Sequence, residues 1–186
     1  MKTKLILLYC FLIALCAQAQ IQEGQFFCDA TPNGSYFPLE LKTKIIFWAE
    51  THYIETRKER KVFNGKTYIA FEQLWEGNTT PDVVYLRTEK GVTYQYEECC
   101  EKETIRYDSA FKEGHSWKTA DGETSYTILS YNGTLKTPFC EYTNLMVIEA
   151  QLKTNAFKFY YHKGHGYIGA TVDDQIISCL SPVLPE

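Results

Sequence analysis

Turn signals fall along this chain at intervals too short for helices. Asn64-Gly65, Lys90-Gly91, Asp121-Gly122, Asn132-Gly133 and Lys163-Gly164 punctuate short runs in which apolar and polar residues alternate, the period of a half-buried β-strand. Asn-Gly and Asp-Gly are the strongest of these, because a type I′ hairpin turn needs positive φ at both central residues. In the stretch FKFYYHKGHGYIGA, residues 157–170, Phe157, Phe159 and Tyr161 alternate with Lys158, Tyr160 and His162, and Lys163-Gly164 reverses the chain into a strand carrying Ile168, Ala170 and Val172. Roughly ten such strands, with no helical period between them, predict an all-β fold: one antiparallel domain built as a curved sheet, half-barrel or sandwich. Aromatic residues at 15% fit that class, since their side chains pack well on pleated surfaces.

The first strand pattern runs from Ile45 to about Glu55, and the mixed-sign run RKERK at 57–61 reads as a solvated strand face. Residues 145–150, LMVIEA, are the most continuously apolar run beyond the first twenty residues and should form a central strand. Asn132-Gly133 is expected to be a turn, followed by Pro138 at an edge or loop. Phe47, Tyr94, Ile128, Ile148, Phe159 and Ile168 are the expected core.

The N-terminus has the form of a secretory signal. Lys2 and Lys4 precede an apolar run over 5–15 that is too short to span a bilayer, and Ala17-Gln18-Ala19 matches an A-x-A cleavage site. The expected organisation is a signal peptide over 1–19, an irregular leader over 20–38, a single β-domain over 39–182 and a tail over 183–186. Export to the periplasm or cell exterior follows, with no membrane span once the signal is removed. Loss of Lys2 and Lys4 takes the formal net charge from -4 to -6, a poor balance for nucleic acid, whose binding rests on cations at phosphates.

Seven cysteines become five when Cys10 and Cys16 leave with the signal: Cys28, Cys99, Cys100, Cys140 and Cys179. An oxidising compartment favours disulfides, and an odd count leaves one thiol over. Cys28 lies in a leader that needs anchoring, and the Cys99-Cys100 pair offers two sulfurs, so Cys28 is expected to pair with one of them and Cys140 with Cys179. A bridge between consecutive cysteines demands a strained peptide. Cys99-Cys100 also lacks the C-x-x-C spacing of a zinc site.

Little here carries reaction chemistry. His162 and His165 face opposite sides of a continuous strand and could share a metal only if a turn at Gly164 brought them together, with His115, His52 or Asp173 as a third ligand. The expectation is two solvated histidines on a surface hairpin. Glu97, Glu98, Glu101 and Glu103 lack the oxygen spacing of a calcium loop. There is no G-x-S-x-G elbow and no phosphate-cradling glycine loop. No cofactor is expected.

GSYFPLELKTKIIFW, NGKTY, VVYLRTEKGVTYQYEE, YDSAFKEGHSW, TLKTPFCEYTNLMVIE and FYYHKGHGYIGA, in that order, resemble a group of uncharacterised secreted proteins of Bacteroidetes-type bacteria. Lys42-Thr43-Lys44 departs from that pattern, lacking the glycine usual in its opening turn. The group's motifs are glycines and aromatics at turns, and its pattern is similar to the half-open β-barrels of periplasmic lipoprotein carriers. The resemblance implies an architecture and carries over no catalytic residue. The function expected is a non-enzymatic binding or structural domain of the bacterial envelope, partnered by another envelope protein, or alternatively a carrier of an apolar ligand such as a lipid or lipoprotein in a curved-sheet cavity. An enzyme is the third possibility.

Overall fold

The structure, a computed structural model, describes Cys28 and residues 34–182. The expected signal peptide over 1–19 and tail over 183–186 lie outside the described residues. Twelve strands form one antiparallel sheet: β1 (Thr43–Trp48), β2 (Thr51–Phe63), β3 (Lys66–Trp75), β4 (Asp82–Glu89), β5 (Val92–Glu97), β6 (Lys102–Asp108), β7 (Ser116–Lys118), β8 (Ser125–Lys136), β9 (Glu141–Gln151), β10 (Ala156–His162), β11 (Gly166–Val172) and β12 (Gln175–Ser181). The described residues contain no helix. Each strand pairs with its neighbours in the chain except β6 and β7, while β1 pairs with β12 through Ile45↔Ser181 to Trp48↔Ser178. The all-β expectation holds, and the sheet curls into a nearly closed barrel.

Of the two strands at the gap, β6 and β7, the second is only three residues long, which limits exposed edge. Side chains bridge the gap in place of a backbone ladder. Arg106 Nη1 donates to Tyr126 Oη at 2.8 Å, and the Ala120 amide donates to Thr104 Oγ1 at 2.7 Å.

Local chemistry sets most of the turns. Asn64 and Gly65 have φ of 49° and 74°, and Lys90 and Gly91 have 51° and 83°, as type I′ reversals require. Two expectations fail. The strand expected over Ile45 to Glu55 is broken at Ala49, in the left-handed region at φ 52°, so β1 and β2 are a hairpin. Asn132-Gly133 is no turn: it lies inside β8, with Gly133 opposite Leu145. A Cβ at Gly133 would stand 2.2 Å from Val147 Cγ2, so this glycine serves close packing across the ladder.

The 145–150 run sits in β9, flanked by β8 and β10. Leu145 and Val147 join one buried cluster with Ile46, Tyr160 and Leu180, while Met146 and Ile148 join another with Ile128 and Tyr161. Both faces of β9 are therefore covered, which is why its sequence does not alternate. Of the expected core, Ile128, Ile148 and Ile168 are buried, whereas Phe47, Tyr94 and Phe159 are half-buried. Tyr94 lies under the Arg87 guanidinium, 4.0 Å from its ring centre.

Cys28 is bonded to Cys140, with Cα atoms 5.3 Å apart, and Cys99, Cys100 and Cys179 are free thiols. Both expected pairings are thus corrected. Strands of a meander alternate in direction, so the turns after β8 and β10 lie at one end of the sheet, with the leader before β1, and the Cys99-Cys100 turn after β5 lies at the other. Cys179, on β12, is buried. The adjacent sulfurs of Cys99 and Cys100 stand 2.9 Å apart without a bond.

Candidate functional site

The leader residues enter the barrel instead of trailing from it. Ser35 carbonyl accepts from the Gly164 amide at 2.8 Å, and a Cβ on Gly34 would meet Gly164 N at 2.5 Å; bare backbone is needed at that crossing. Past it, Tyr36 and Leu39 are buried. Phe37 packs on Tyr161 and Tyr107, with ring centres 4.7 and 5.7 Å away. The Leu39 carbonyl accepts from Arg57 Nε at 2.8 Å. Residues 36–39 so form one wall of a half-open cavity of about 260 Å³.

Its apolar lining includes Trp48, Phe71, Val84, Leu86 and Phe159. Polar groups enter in rows fixed by the ladders. Lys44 stands opposite Glu55, which stands opposite Gln73, and Leu86 stands opposite Gln95; residues directly opposite share a sheet face. Lys44 Nζ is 3.9 Å from Glu55 Oε1. Burial pushes the lysine's pKa down, opposed in part by the Glu55 charge. Arg106 lines the same space from β6. Tyr53, Tyr161 and Tyr167 also line it, each with its phenol pushed up, first of all by burial. The Tyr167 and Ser178 hydroxyls are buried beside each other, with no closer hydrogen-bond partner among the described residues, and Ser178 lies across the ladder from the cavity-lining Trp48.

The histidine pair differs from expectation. The turn after β10 does bring His162 and His165 together, with Nδ1 atoms 3.0 Å apart, but they are 1% and 4% exposed, not solvated. One Nδ1–H donates to the other Nδ1, so both cannot carry that proton at once. His165 is pushed down to about 4 by burial, then by His162 and Lys44. The residues considered as a third ligand are elsewhere: His115 stacks on Phe111 at 3.7 Å, His52 Nδ1 pairs with Glu76 at 3.1 Å, and Asp173 sits in the turn between β11 and β12. Among the described residues no group of three or more histidines, cysteines or carboxylates could hold a metal ion.

A curved-sheet cavity was an expectation, but nothing local marks the residues that line it. Lys44 and Arg106 stand on separate strands, β1 and β6, and only the closure of the sheet brings both to one space. No known family, no curated protein and no solved structure matches the chain.

Proposed function

We propose that this chain is an exported, non-catalytic binding domain that carries an apolar ligand inside its curved sheet. The carrying observation is the half-open cavity of about 260 Å³ in the curved sheet, most of whose lining is aromatic or aliphatic. Its size is near the lower bound of small-ligand sites, roughly 300 Å³, which suits a slender ligand. Side chains bridge the β6–β7 gap and leader residues form a wall, and such closures separate at less cost than a backbone ladder. The export signal and the resemblance to envelope proteins support a place in the periplasm or outside the cell.

Uptake of phenylnaphthylamine, a neutral dye that brightens in apolar surroundings, tests the reading. Saturable uptake, reversed by long-chain amphipaths, is expected, as is a small-molecule adduct in native mass spectra of protein purified from its own cells. A protein that carries no adduct and takes up no dye would overturn it.

A further inference from the structure

A carrier for plain hydrocarbon has no use for buried charge, yet this cavity holds three ionic side chains. Lys44, buried in β1, and Arg106, half-buried in β6, both line it, and Glu55 is the single carboxylate among its described lining residues. The lining therefore has one positive charge in excess, offset in part from outside it by Glu97, whose charge acts on Arg106. Burying an uncompensated cation is costly, and a lysine feels the cost more than an always-protonated arginine. Glu55, 3.9 Å from Lys44, sits beyond hydrogen-bonding distance. The Arg106 fork is only partly used: Nη1 donates to the Tyr126 hydroxyl and the Tyr161 hydroxyl lies beside the guanidinium, while a guanidinium has five N–H donors.

A separate observation points the same way. The Tyr167 hydroxyl lines the cavity, buried, with the Ser178 hydroxyl beside it and no close hydrogen bond among the described residues to which its own proton is given. A phenol whose pKa is pushed up by burial stays protonated, and so is a donor available to an incoming anion.

From this excess charge, partly used fork and buried hydroxyl we infer that the cavity's ligand is a monoanionic amphipath, a carboxylate on an unbranched alkyl chain. The carboxylate meets Lys44, Arg106 and the Tyr167 hydroxyl, and the chain lies along Trp48, Phe71 and Phe159. One negative charge neutralises the excess, and a carboxylate's two oxygens match the planar fork of arginine. This deepens the carrier reading and rests on it.

Displacement of phenylnaphthylamine by decanoate, decanol and decyltrimethylammonium separates the two claims. Decanoate is expected to displace the dye at concentrations roughly tenfold or more below decanol, a margin of about 1.4 kcal/mol, with the cationic surfactant weakest. Lys44→Met and Arg106→Met should each weaken decanoate roughly tenfold while leaving decanol unchanged. Equal displacement by decanoate and decanol, or tighter binding of the cation, would overturn the headgroup inference while sparing the carrier. Failure of all three to displace the dye, or no dye uptake, would sink the carrier reading itself. The wild-type series decides the matter even if a variant fails to fold.

Discussion

Lowering the pH from about 7 to about 5 should remove about 2 kcal/mol of folding stability through His165. The folded chain holds this imidazole at about 4, against an ordinary value of 6.5, by burial, by His162 and by Lys44. Its folded pKa is depressed, so between these values the unfolded chain binds the extra proton and the folded chain does not. Stability is then complete above about 6.5 and falls as the pH drops towards about 4, where the loss levels off. The whole interval corresponds to roughly 3 kcal/mol, and about 2 kcal/mol of it lies between pH 7 and 5. Urea unfolding at the two pH values, followed by tyrosine and tryptophan fluorescence, measures it. His165→Asn should flatten the dependence, because the titrating ring is gone. A wild-type loss below about half a kcal/mol would refute the burial argument.

Ile148 is 3% exposed, in the cluster with Ile128 and Met146, so Ile148→Ala should cost roughly 2 to 5 kcal/mol in urea unfolding; a cost under about half a kcal/mol would place β9 at the surface. Gly133→Ala puts a methyl 2.2 Å from Val147 Cγ2 and should destabilise by about 1 to 3 kcal/mol, whereas an unchanged urea midpoint would show that β8 and β9 are not in this register. Non-reducing peptide mapping should recover a Cys28–Cys140 crosslink, and in the chain-entropy treatment closing a separation of 112 residues stabilises by about 5 kcal/mol; Cys28 found as a free thiol would contradict the bond.

Much of the architecture was legible because turn chemistry is local. Asn64-Gly65 and Lys90-Gly91 need only their own φ preferences to reverse the chain. Gly133 misled because a glycine needed for close approach to Val147 looks, in sequence, like one needed for a turn. Cys28–Cys140 was hidden for a different reason: nothing local says at which end of the sheet a leader meets its partner, and that follows only once all the strands are counted. The histidines were expected to be solvated because they flank a hairpin turn, but their burial depends on packing such as that of Tyr142 against His162, ring centres 5.3 Å apart. The site was the least legible part. Lys44, Glu55 and Gln73 come from three strands and meet in one row only through ladder register.

Filling the cavity tests the carrier reading most directly. Val84 lines it, half-buried, on β4, and Val84→Trp would place an indole in the space assigned to the ligand. Phenylnaphthylamine titrations of the two proteins, each checked for β-structure by circular dichroism, make the comparison. If the ligand sits in the barrel, dye and decanoate affinity should fall roughly tenfold or more, the loss of about 1.4 kcal/mol of apolar contact, in a variant that keeps its fold. A folded Val84→Trp variant that binds both as tightly as the wild type would contradict it, and would move the binding site out of the barrel.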